Sequence, residues 1–207
     1  MPSAVAKPSP RTWSPRSRVA DRILAMRQQE TPNASTAATS TLTALDVGTI
    51  LREYGWLTGE PTAEQLAWRE RAATLLGPHA SGRGQLCDLL ALIFHYDAQE
   101  LLGRVENHVV LSRSGARDVL RHLALLLLEP SPLTSERFKE IVTSLKDGLD
   151  LRGRELFHPI RLALAGRAGE GELDRVILLL DDGAAARFPS PVKSARERIL
   201  EFCASLD

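Results

Sequence analysis

From residue 43 onward apolar side chains recur at three- and four-residue intervals, and no alternating run is bounded by hairpin turns. That pattern predicts an all-α protein. Residues 43–54 carry Leu45, Ile50 and Leu51 and stop near Gly55. Pro61 and Thr62 followed by Gln65 make a capping-box start, and Gly77 with Pro78 ends that helix. Residues 85–96 are strongly apolar, and Asp97 with Glu100 opens a short helix reaching residue 107. A long helix over 115–129 is stopped by Pro130 and Pro132. Residues 134–149 set Phe138, Ile141, Val142 and Leu145 on one face. Pro159 suits a first helical turn, where its missing N–H is no loss, and Gly166 suits the end. The pattern continues through 173–180, and 191–205 closes the chain with Val192, Ala195, Ile199 and Phe202 on one stripe.

The beginning of the chain reads differently. Residues 1–16 hold four prolines and several serines and are predicted to be disordered. Residues 17–29 could form a short basic helix with Val19, Ile23, Leu24 and Met26 on one side, and 31–43 is a Ser/Thr/Ala linker. The predicted organisation is a disordered basic tail and linker over 1–42, followed by two packed helical subdomains in a multi-helix array. The first spans 43–112 and the second 113–207, with the boundary near 107–113.

Composition narrows the class. Hydrophobic residues make up 43% and charged residues 25%, as in ordinary globular proteins, but aromatics only 5%, so the core rests on Leu, Ala, Ile and Val. Lys plus Arg and Asp plus Glu are 26 each, so any nucleic acid must be met by a local patch. Residues 1–30 are basic, 31–112 acidic, and 113–207 dense in both signs. The Arg- and Ser-rich start is shared by disordered basic tails and organellar transit peptides. Cys87 and Cys203 match neither a disulfide framework nor zinc spacing, which fits free thiols in a reducing cytosol and a cytoplasmic protein. No apolar run approaches the ~20 residues of a membrane span. His79, His95, His108 and His122 lack metal-ligand spacing, and Trp13, Trp56 and Trp68 are too scattered for a base-stacking platform. Asp181 and Asp182 read as a solvated pair at a helix end. No catalytic constellation can be assembled, so no catalytic residue, metal or cofactor is expected.

One stretch carries more. Residues 149–166 read L-D-L-R-G-R-E-L-F-H-P-I-R-L-A-L-A-G. This resembles the glutamyl-tRNA synthetase segment G-(K/R)-x-L-F-x-P-(I/L)-R-x-A-L-(T/A)-G, which is specific to that family's anticodon-binding domain. Tyr96, Asp97 and Ala98, the run from Gly115 to Val119, and residues 134–146 resemble the family's segments N-terminal to the motif. Glu172 and Leu173, with Leu178, Leu179 and Leu180 after them, resemble its C-terminal continuation. The resemblance covers about residues 88–188. The family's ATP-binding signatures, a His-x-Gly-His-type motif and a Lys-Met-Ser-Lys-Ser-like loop, have no counterpart in the sequence.

The resemblance implies a helical cage that receives anticodon bases. It nominates Arg161, the motif arginine, as an anticodon contact, because a guanidinium offers five donors in a planar fork. Arg154, His158 and Arg161 fall at i, i+4 and i+7, which is one face if a continuous helix runs there and separate faces if Pro159 breaks it. Arg152 and Arg167 add charge for phosphates, and Leu173 is a candidate apolar contact. His158 reads first as a cap or a packed side chain. The turn Glu170, Gly171, Glu172 departs from the family's proline-containing turn and puts negative charge where RNA phosphate would pass. The reading is therefore a free-standing, non-catalytic homologue of the anticodon-binding region. It would bind a glutamate-type tRNA alone or with a separate synthetase catalytic chain. The alternatives are a protein-interaction module that kept the fold and lost RNA binding, or one subunit of a split glutamate-tRNA ligase.

Overall fold

Local hydrogen bonds set where the helices start. In the computed structural model, which describes residues 42–206, Thr43 and Asp46 close a reciprocal capping box at the head of α1 (Ala44–Glu53). Thr62 and Gln65 do the same for α2 (Ala63–Leu76), as predicted from their spacing. A 3₁₀ turn, Gly77–His79, leads to α3 (Arg83–Phe94). The Asp97 side chain accepts from the Glu100 amide at the start of α4 (Ala98–Gly103). Next come α5 (Val105–Leu111), α6 (Ala116–Leu127) and α7 (Ser135–Leu149), the last capped by Thr134. Then follow α8 (Arg154–Ala165), α9 (Glu172–Ile177), α10 (Leu180–Ala185) and α11 (Ala195–Leu206). Among the described residues there is no strand, so the all-α expectation holds. The predicted disorder of 1–16 and helix of 17–29 lie outside the described residues, as does nearly all of the predicted linker.

Several boundaries differ from the sequence pattern, each for a local reason. The helix predicted over 97–107 is two helices, broken at Arg104, whose ψ of 124° is extended. At the break the Leu101 carbonyl accepts from the Arg104 N–H at 3.4 Å and from the side-chain Nδ2 of the buried Asn107 at 2.8 Å. The segment 173–180 divides between α9 and α10. The last helix starts at Ala195 because Ser194 and Glu197 form a capping box there. The motif helix begins at Arg154, so Pro159 sits in its interior rather than its first turn. The proline removes the bond to the Glu155 carbonyl, but Glu155 is exposed and its carbonyl lies near the helix start, where water can replace the bond. Gly166 ends α8 with φ of 77°, a left-handed conformation that glycine adopts without a Cβ penalty.

The motif helix lies at the centre. From Pro159 to Ala165 every residue of α8 is buried, and the helix packs against α5, α6, α9 and α11. Elsewhere the few aromatics gather: Trp56 stacks on Phe94 at 4.8 Å, and Trp68, Phe94 and Phe188 meet edge to face. Trp68 Nε1 donates to the Leu179 carbonyl at 3.0 Å, and Gln65 Nε2 donates to the Ala186 carbonyl at 3.3 Å. Buried apolar residues from Val47 to Phe202 form one cluster.

Two polar residues fasten the helices at depth. Arg198, 0% exposed, donates to the carbonyls of Leu92, Ile93, Leu164 and Lys193, and stacks on Tyr96 at 4.4 Å. Its one side chain thus caps the C-terminal ends of α3 and α8, where the helix dipoles favour a cation. Burial pushes its pKa down to about 10. Asp181 is not a solvated acid: its two oxygens accept from the amides of Leu133, at 2.8 Å, and Ala195, at 2.9 Å. Its neighbour Asp182 pairs with Arg71 on α2 at 2.7 Å.

Candidate nucleic-acid interface

The chain enters α8 through two residues of positive φ, Asp150 at 52°, which is left-handed, and Gly153 at 54° with ψ of −131°. The helix runs unbroken through Pro159, so, of the two outcomes left open by the sequence, Arg154, His158 and Arg161 share one face. Burial grades along that face. Arg154 is exposed, His158 half-buried and Arg161 buried.

Arg161 is 8% exposed and its fork is turned inward. Nε and Nη2 make a bidentate pair with Asp174 at 2.7 and 2.9 Å, and Nη1 donates to the Gly169 carbonyl at 2.7 Å. The guanidinium also lies over the Phe157 ring, 4.8 Å from its centroid. One side chain therefore holds the whole turn between α8 and α9. Leu173 is 0% exposed and lies under that turn, and a Cβ on Gly169 would come within 2.9 Å of its Cδ1.

The remaining nominated arginines face solvent. Arg152, 77% exposed, lies 3.9 Å from Asp150. Arg154, 76% exposed, lies 3.8 Å from Glu170. Arg167 is exposed beyond the helix end. Long, exposed pairs of this kind add little stability and leave the arginines available to another anion.

Two residues complete the face. Arg113, in the loop after α5, places Nη1 3.4 Å from His158 Nδ1. Partial burial first, and then the charges of Arg113, Arg154 and Arg161, hold the His158 imidazole below its usual pKa, against an opposing pull from Glu170. Arg113 carries no motif signal of its own, and only the fold brings it to His158 across 45 residues. His158 had a signal in its i, i+4 relation to Arg154. Among the described residues, no group of three or more His, Cys, Asp or Glu side chains could hold a metal ion, and Cys87 and Cys203 are not joined in a disulfide. No helix among them is long and apolar enough to cross a membrane.

The described residues are a helical array without strands, built around a buried arginine and edged by exposed ones. The family profile described as "Anticodon binding domain" matches residues 40–182, and the chain belongs to that family. It is similar to the glutamate–tRNA ligase of Exiguobacterium sibiricum, 28% identical over 130 residues, covering 63% of this chain and 26% of that protein. The ligase of Bacillus velezensis is 27% identical over 137 residues, covering 66% and 28%, and that of Carboxydothermus hydrogenoformans 26% over 133, covering 64% and 27%. The chain thus spans about a quarter of the length of the curated relatives it matches. No solved structure matches it. The family match ends before α11, the helix that contributes Arg198.

Proposed function

We propose that the exposed first turn of α8 and the arginines flanking the helix bind the anticodon arm of a glutamate-type tRNA, with the protein acting alone or with a separate synthetase chain. Family membership and relatives named glutamate–tRNA ligase support the reading. The observation that carries it is the unbroken α8, which lines up Arg154 and His158 between the exposed Arg152 and Arg167. Phosphates would meet Arg152, Arg154 and Arg167. Arg161 and Leu173 would act from beneath, by fixing the turn that borders the anticodon.

The test is affinity for tRNA-Glu against a non-cognate tRNA over a range of salt. Tight, salt-dependent binding that favours tRNA-Glu is expected. Replacing Arg152 and Arg154 with glutamine should weaken all tRNAs alike and flatten the salt slope by about two phosphate contacts. No discrimination, together with no effect of these substitutions, refutes the reading. It would leave a helical protein-interaction module, which the Glu170 carboxylate lying against Arg154 favours.

A further inference from the structure

The cluster around His158 gathers charge from three parts of the fold. Arg113 comes from the loop after α5, Arg154 and Arg161 from α8, and Glu170 from the turn before α9. Arg161 is matched by Asp174. That leaves Arg113, whose Nη1 lies 3.4 Å from His158 Nδ1, and Arg154, which makes a 3.8 Å pair with Glu170 in which the two side chains are 76% and 74% exposed. With a neutral imidazole, the cluster carries an unmatched positive charge beside a group that can take up a proton.

We propose that Arg113, Arg154 and His158 form a proton-linked phosphate site, in which Glu170 stands where a ligand phosphate will sit. The nucleic-acid reading above supplies only the source of that phosphate. An exposed carboxylate at 3.8 Å is loosely held. A phosphate offers more acceptor oxygens to the two guanidinium forks and displaces it. Its arrival also reverses the field at His158. In the free protein, burial and three arginines oppose the charged imidazole, and Glu170 alone favours it. A bound phosphate draws the Arg113 fork away from His158 Nδ1, neutralises the arginines and accepts a hydrogen bond from the imidazolium, whose nitrogens are then both donors. Binding therefore takes up as much as one proton. Affinity rises as pH falls through the liganded pKa of His158 and levels off below the free one.

The experiment is an NMR pH titration of the histidine rings in the full chain, at constant ionic strength. It is run in chloride alone, with added sulfate as a phosphate-shaped dianion, and with a short RNA hairpin. His158→Gln identifies the signal. The His158 midpoint should rise with sulfate and with RNA. RNA affinity should strengthen by up to about tenfold per pH unit within the window, and this slope should vanish in His158→Gln. Glu170→Gln should bind sulfate more tightly, and Arg154→Gln should abolish the sulfate-induced rise. Both replace exposed side chains, so they report even where His158→Gln folds poorly. A rise with sulfate but not RNA upholds the site and sinks the tRNA reading. RNA binding with no change at His158 does the reverse. No rise with either, or a rise that survives Arg154→Gln, overturns the proposal.

Discussion

Arg161 and His158 share a helix face yet answer to different forces. Arg161→Ala would strand the Asp174 carboxylate and leave the Gly169 carbonyl without its donor. Removing one partner of a fully buried pair typically costs about 3–5 kcal/mol. Because the Asp174 side chain is 24% exposed, water offsets part of that, and a loss of about 2 kcal/mol is expected. Urea unfolding should show it, and Arg161→Lys should recover little, because an ammonium cannot bridge both carboxylate oxygens and the carbonyl. A midpoint unchanged by Arg161→Ala would refute the structural role. His158 acts through pH. Its folded pKa lies below the ordinary value of 6.5, so between those two values the unfolded chain binds more protons than the folded one. Stability from this group is therefore complete above about pH 6.5 and declines as pH falls through that window. The wild type should lose more stability than His158→Gln between about pH 7 and pH 5. Parallel curves would show that the imidazole does not feel the arginines.

At the level of single helices, the three-residue start signals at Thr62 and Asp97 were read from the sequence, while the one at Ser194 was passed over. The capping boxes at Thr43 and Thr62 act within one turn, so local sequence suffices to build them. The same chemistry at Ser194 and Glu197 starts α11, but Pro191 drew the predicted boundary four residues too early. Ser194→Ala should therefore cost about 1 kcal/mol of stability, read from the denaturant midpoint. A loss within error would mean that packing alone fixes the start of α11. Pro159 gave the opposite error. Its usual place is a first turn, yet α8 begins five residues before it, because burial of Leu156, Ile160, Leu162 and Leu164 outweighs one missing backbone bond.

Across the whole molecule, α11 ties the ends of other helices together. Ile199 and Phe202 are 0% exposed, and Arg198 satisfies carbonyls at the ends of α3 and α8. A chain ending before Ala195 would expose that apolar surface and leave those carbonyls unpaired. It should lose cooperative thermal unfolding by circular dichroism, even though it retains the whole family-matched segment. Arg198→Met, which keeps much of the volume and removes the donors, should destabilise by about 3 kcal/mol or more, since several buried acceptors lose their partner at once. A cooperative transition in the truncated chain, or a stable Arg198→Met protein, would show that the helix ends are satisfied in another way.

Helix content, most helix starts and the anticodon-domain motif were written in the sequence, because each depends on residues within a turn or two of one another. The face shared by Arg154, His158 and Arg161 was legible only as one of two outcomes: helical geometry fixes it once α8 is continuous, and Pro159 left that continuity open. Tertiary structure decided which of those side chains meets solvent. The inward turn of Arg161 depends on Asp174 and Gly169, which come near only when the chain folds back after Gly166. The meeting of Arg113 with His158 and the bond from Trp68 to Leu179 join residues 45 and 111 positions apart. Periodicity records that a residue is buried or exposed on its own helix, but a polar partner from another helix leaves no periodic trace, and only packing chooses it.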